Sequence, residues 1–145
     1  MRVLIVEDEK IAADNLEQML LDIDSSIEVV GKIGTVRNAV DWFGENKADL
    51  ILLDIQLSDG VSFKIFESVN ITTPIIFTTA FNKYAIKAFE LNSIDYLLKP
   101  IKKGKLQKAV DKFKTLYFEK TSPEFNYAEL LEKINKKEYQ QRFVV

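Results

Sequence analysis

Four short apolar runs of this 145-residue chain stop at residues that can do chemistry. Val3-Leu4-Ile5-Val6 stops at Glu7-Asp8-Glu9, and Leu50-Ile51-Leu52-Leu53 stops at Asp54. Ile75-Ile76-Phe77 stops at Thr78-Thr79, and the run 94–98 stops at Lys99-Pro100. If these runs are parallel strands of one sheet, all four ends share one edge, where open α/β sheets bind ligands. With the first and third strands side by side, Glu7 and Asp8 face Asp54 across a crevice. Three carboxylates so close repel one another. Mg²⁺ is the natural remedy, a hard cation that takes about six oxygens at ~2.0–2.1 Å. The charges agree, because Lys99 and a divalent cation together offset three carboxylates. Taken singly, a strand-terminal acid is an ordinary solvated loop residue. Acids, a hydroxyl and a lysine converging on one edge are not.

The elements that must position these residues are legible from periodicity. The first run is followed at helical spacing by Ile11, Leu16, Met19 and Leu20. A second run, 27–31, precedes Val36, Ala39, Val40 and Phe43, and the third precedes Phe63, Phe66 and Val69. The fourth precedes Tyr84, Ala85, Ala88 and Phe89, and the fifth Leu106, Ala109, Val110, Phe113 and Leu116. Runs apolar on both faces suit parallel strands covered by helices. Five such units predict an α/β fold with a doubly wound, five-stranded parallel sheet. Glu28 interrupts the second run, which places that strand at an edge.

Composition removes other chemistries. Without cysteine or histidine the chain holds no disulfide, no thiolate or imidazole metal site and no Ser-His-Asp triad. It cannot be the phosphohistidine half of a signalling pair either. No run of ~18 apolar residues predicts a membrane span. Met1-Arg2 leads straight into a strand, unlike a secretory signal, so a cytoplasmic location is expected. The net charge of −2 hides an asymmetry: residues 1–98 hold 8 Lys/Arg and 16 Asp/Glu, residues 99–145 hold 12 and 6. Acids such as Asp111, Glu119, Glu129 and Glu132 punctuate the basic tail, so it reads as solvated helix faces rather than a nucleic-acid arm.

Glu7-Asp8, Asp54, Thr79-Ala80 and Lys99-Pro100, at these spacings, resemble the receiver domain of bacterial response regulators. The resemblance covers about residues 1–120 and implies a flavodoxin-like fold with strand order 2-1-3-4-5. It implies that Asp54 is the phosphoacceptor, supplied by a sensor histidine kinase, with Lys99 and Thr79 as its catalytic and switch partners. It implies Mg²⁺ held by Glu7, Asp8, Asp54 and the backbone carbonyl of Gln56. Tyr96, three residues before Lys99, takes the place of the switch aromatic, and the Lys99-Pro100 bond is expected to be cis. The chain departs from the pattern twice. Glu7 stands where Asp is commoner, so its longer arm reaches the metal directly or through water. Ser58 stands where proline is frequent, which predicts a looser loop 54–60. Such a protein is a signalling receiver rather than an enzyme beyond its own phosphoryl transfer and slow dephosphorylation. A phosphohydrolase of the haloacid dehalogenase type needs a second acid where Gln56 stands. A Rossmann nucleotide binder needs a Gly-rich turn where Glu7-Asp8-Glu9 would repel phosphates.

The stretch 79–90, together with Ile94-Asp95-Tyr96-Leu97-Leu98-Lys99-Pro100, is similar to the LytTR (LytR/AlgR) class, whose receivers precede a β-rich DNA-binding domain. The resemblance implies a receiver at 1–120, a linker helix at 121–138 and the opening of a truncated LytTR-type domain at 139–145. Thr121-Ser122-Pro123 stops the fifth helix, because proline lacks an N–H and clashes with the preceding turn. Tyr127, Leu130, Leu131 and Ile134 then stripe a short helix, and Arg142-Phe143-Val144-Val145 resembles a first strand cut short. DNA is the expected partner of the effector, and a stand-alone receiver acting through protein contacts is the alternative. A phosphorylation-dependent homodimer is expected through the face carrying Lys83, Lys87, Lys105 and Lys108 with Glu90, Asp95 and Asp111. The Tyr127, Leu130, Leu131 and Ile134 stripe is the competing interface.

Overall fold

Runs such as Val3-Leu4-Ile5-Val6 are apolar at every position and need cover on both faces, which the interior of a helix-flanked parallel sheet supplies. The computed structural model describes residues 1–80 and 93–117. Its sheet comprises β1 (Arg2–Val6), β2 (Glu28–Ile33), β3 (Leu50–Asp54), β4 (Ile75–Thr79) and β5 (Ser93–Leu98), all parallel. The strand order is β2-β1-β3-β4-β5, as the resemblance implies. Helices α1 (Lys10–Ile23), α2 (Val36–Glu45), α3 (Ile65–Ser68) and α4 (Lys103–Tyr117) flank or follow it. Backbone contacts divide the chain into two units, Met1–Ala109 and Val110–Val145, and the sheet and the site belong to the first.

Val3 to Val6, Leu50 to Leu53 and Ile75 to Phe77 are all at most 2% exposed. Side chains alternate across a strand. Leu4, Val6, Ile51, Leu53, Ile75 and Phe77 therefore share one cluster with Ala39, Phe63 and Ile65. Val3, Ile5, Leu50, Leu52 and Ile76 are buried on the opposite face. Strand β2 lies at the sheet edge, as its Glu28 suggested, but runs two residues beyond the expected 27–31.

Two expectations need correction. The helix foreseen through Phe63, Phe66 and Val69 is a 3-10 turn (Ser62–Lys64) and a single α turn, α3. Val69 already has extended backbone, φ −134°, and the β-branched residues and Pro74 that follow disfavour a longer helix. The loop expected to be loosened by Ser58 is instead paired. Gln56–Leu57 and Gly60–Val61 form a two-stranded antiparallel ribbon, with Ser58 and Asp59 at its tip. Gly60 adopts φ +143°, which L side chains rarely tolerate, and so closes the turn. The Lys99-Pro100 peptide is cis. The expected helix through Tyr84 and Phe89, the linker at 121–138 and the segment 139–145 lie outside the described residues. Among the described residues, no helix is long and apolar enough to cross a membrane.

Candidate functional site

Each functional side chain is held by the backbone of the strand it terminates. The Glu7 N–H donates to Ile33 O at 2.8 Å, extending the β1–β2 pairing by one residue. Its carboxylate accepts from the Glu9 N–H at 3.2 Å and is buried, 3% exposed. At the end of β3, Asp54 is 4% exposed and its Oδ1 accepts from the Gln56 N–H at 3.2 Å. The Ile55 N–H donates to Thr78 O at 3.0 Å, and the Lys99 N–H to Thr79 O at 2.8 Å, so β4 anchors both flanking strand ends.

Those anchors converge on one ammonium. Lys99 Nζ donates to Glu7 Oε1 and, at 3.0 Å, to Asp54 Oδ2. A buried carboxylate is expensive to desolvate unless paired, and Lys99 pairs two at once. Burial pulls the Lys99 ammonium down, but the bonds to Glu7 and Asp54 outweigh it and hold it above its usual value. The two partners of Lys99 are thus Glu7 and Asp54, not Asp8.

Asp8 stays exposed at the mouth. Partial desolvation, a hydrogen bond shared with Glu7 and the Glu7 charge push its carboxyl above the ordinary 3.8. One oxygen each from Glu7, Asp8 and Asp54 lies within 4.8 Å of the others. Hard oxygen donors, two of them buried, and an unmatched negative charge fit a divalent cation. The site opens through a cavity of about 260 Å³ lined by Asp8, Glu9, Asp54, Gln56, Leu57, Ala80 and Lys99.

Of the residues singled out from the sequence, Glu7, Asp8, Asp54 and Lys99 come together, and Gln56 lines the same cavity. Thr79 is fully buried at the end of β4, and its carbonyl holds Lys99. Tyr96 is partly buried against the apolar cluster rather than lining the cavity. Two contributors were given no role in the sequence reading. Glu9 lines the cavity and gives its amide to Glu7. Asp59 reaches from the ribbon tip to α2, donating nothing and accepting from the Val36 and Arg37 N–H groups at 2.8 and 3.2 Å. Asp59 followed by Gly60 was the available signal, since both residue types favour turns.

The family described as the response regulator receiver domain matches residues 3–111. Sensory transduction protein LytT of Bacillus anthracis is 36% identical over 117 residues, covering 79% of this chain and 47% of that protein. Sensory transduction protein LytR of Staphylococcus epidermidis is 38% identical over 115 residues, covering 77% and 45%. Transcriptional regulatory protein BtsR of Escherichia coli strain K12 is 39% identical over 114 residues, covering 75% and 46%. The chain thus spans about half the length of the curated relatives it matches. The response regulatory domain of protein mrkE from Klebsiella pneumoniae has the same fold, with TM-score 0.69 and 34% identity over 79% of this chain and 96% of that one.

Proposed function

The chain belongs to the response regulator receiver domain family, and from that premise we propose that Asp54 accepts a phosphoryl group from the phosphohistidine of a sensor kinase. The observation that carries this reading is the Asp54 carboxylate itself. It is nearly buried, ends the central strand, has a lysine ammonium 3.0 Å away and opens on a cavity. An Asp54 oxygen attacks phosphorus, the N–P bond to the kinase imidazole breaks, and the imidazole leaves with the electron pair. The product is an acyl phosphate on Asp54.

Asp8, Asp54 and the Gln56 carbonyl would hold Mg²⁺, with Glu7 assisting through water because Lys99 occupies one of its oxygens. When bound, the ion offsets charge on the transferring phosphoryl oxygens. Lys99 is the second source of positive charge, passing from the Asp54 carboxylate to the new phosphoryl oxygens. The Thr79 hydroxyl donates to the phosphoryl group and Tyr96 repacks in response, a two-state element biased by local charge. The signal passes to an effector beyond the receiver at 1–120, through a linker at 121–138. The transcriptional role named for the BtsR relative supports a DNA-binding effector beginning near 139. Phosphorylation favours a homodimer. The chain acts in two-component signalling.

Incubation with Mg²⁺ and acetyl phosphate, followed by mass spectrometry, tests the assignment. The parent should gain one phosphoryl group at Asp54, and Asp54→Asn should gain none there. Labelling elsewhere with Asp54 untouched would overturn it.

A further inference from the structure

The first turn of α2 leaves four backbone N–H groups without partners inside the helix, as every helix does. Within the turn, the Asn38 N–H donates to the N-cap Thr35 Oγ at 3.0 Å, and the first helical bond runs from the Ala39 N–H to Thr35 O at 3.1 Å. The N–H groups of Val36 and Arg37 both go to Asp59, which is 23 and 22 residues away in sequence. Beside it, Ser58 Oγ donates to Gly34 O at 3.4 Å. The ribbon tip therefore grips the turn between β2 and α2 from two adjacent residues.

Both sides of that grip lead to the acidic site. On one side, the ribbon begins at Gln56, whose N–H binds Asp54 Oδ1 and whose strand follows Asp54 by a single residue. On the other, the gripped turn abuts the β1 end: a Cβ on Gly34 would stand 3.4 Å from Asp8 Cα and 3.7 Å from Glu7 O. The loop carrying Asp54 and Gln56 and the loop carrying Asp8 have no covalent connection nearby. The β1–β3 ladder fixes the two strand ends side by side, and beyond it the Asp59 clasp ties the 56–61 ribbon to the turn beside Asp8. The backbone donors of Val36 and Arg37 also keep the Asp59 carboxyl below its usual range, so it is ionised and competent to accept near neutral pH.

We propose that Asp59 is a positioning residue for the metal and phosphoryl site, holding the 54–61 segment in register with Asp8 through the N-terminus of α2. This rests on the reading of Asp54, Asp8 and Gln56 given above. It predicts an effect that loss of helix capping alone would not produce, and Thr35 supplies the comparison. Thr35→Ala removes a cap from the same turn of α2 without touching the ribbon.

The experiment measures amide hydrogen exchange of the metal-free chain, then Mg²⁺ affinity by calorimetry, in Asp59→Ala, Asp59→Asn and Thr35→Ala. Asp59→Ala should speed exchange at amides 56–61 about tenfold. It should also weaken Mg²⁺ binding by up to about tenfold, as loss of an outer support of a ligand does. Asp59→Asn keeps one carbonyl acceptor for the Val36 N–H and should fall between this variant and the parent. Thr35→Ala should leave both quantities at parental values while lowering the melting temperature. Unchanged exchange in Asp59→Ala, or equal effects from Thr35→Ala, would overturn the clasp. If the parent itself binds no Mg²⁺, the metal reading falls, and the exchange comparison alone decides the clasp.

Discussion

Two lysines of this chain each lie between two carboxylates, and they have little else in common. Lys32 Nζ stands 2.8 Å from both Asp14 and Glu17, with side chains 38%, 47% and 32% exposed. Lys99 bridges Glu7 and Asp54, whose side chains are 0% and 6% exposed. Titration does not separate the clusters. The bonds to Asp14 and Glu17 raise the Lys32 ammonium, and those to Glu7 and Asp54 raise that of Lys99 despite burial. Solvent separates them. Water already satisfies Asp14 and Glu17, so their ion pairs contribute little. At the other cluster the Glu7 and Asp54 carboxylates are shielded from water, and both depend on Lys99. A buried cluster with excess negative charge calls for a further counter-charge; an exposed one does not.

The sharpest way to break the comparison is to remove each lysine in turn. Lys99→Met leaves two buried carboxylates unpaired, and urea denaturation should show a loss of about 3 kcal/mol. Because a divalent cation can replace the missing charge, added Mg²⁺ should raise the melting temperature of Lys99→Met more than that of the parent. An equal rise in both would argue that the metal does not meet Glu7 and Asp54.

The buried cluster also has a third acid that the exposed one lacks. Asp8→Ala removes an oxygen ligand, and calorimetry should show Mg²⁺ affinity falling by at least about tenfold. Without metal the same change relieves crowding against Glu7, so the melting temperature should rise slightly rather than fall. The sign of the pH dependence follows from the raised Asp8 pKa. A proton competes with the cation, so Mg²⁺ affinity should weaken as pH falls, beginning above the ordinary 3.8 of an aspartate. In Asp8→Ala that part of the profile should flatten.

The smallest effect belongs to Lys32→Met. Its melting temperature should be indistinguishable from the parent's in 1 M salt, where exposed pairs are screened. A large, salt-resistant loss would show that exposure is a poor guide to which cluster matters.

The same contrast explains what could be read in the sequence. Apolar runs fix strands, and residues just past their ends fix one edge, so Glu7, Asp8, Asp54 and Lys99 were all visible; the full strand order came only with the resemblance to the receiver family. The pairing among those residues was less visible. Nothing in the spacing distinguishes Glu7 from Asp8 as the partner of Lys99; the Glu9 amide and the β1–β2 pairing decide it by turning Glu7 inward. The Lys32 cluster joins residues 15 and 18 apart through tertiary packing, which periodicity does not report. The pairing within the 54–60 loop was missed because one absent proline was weighed and the turn-forming Ser58-Asp59-Gly60 stretch was not. The loop's two ties are the ribbon pairing and the Asp59 bonds to a helix end 22 and 23 residues away in sequence, which local spacing does not report.

The position of Trp42 has a practical consequence in optics. It is the chain's sole tryptophan, and it lies in α2, the helix whose first turn Asp59 grips. Its indole stands edge-on to Phe43, with centroids 5.1 Å apart, and a Cβ on Gly31 would touch its Nε1 at 3.4 Å. Excitation at the red edge of protein absorbance therefore illuminates a single chromophore, seated between the edge strand and the gripped helix. A shift in its emission colour or its quenching by acrylamide reads out the seating of α2 on β2 with no label and no engineered dye.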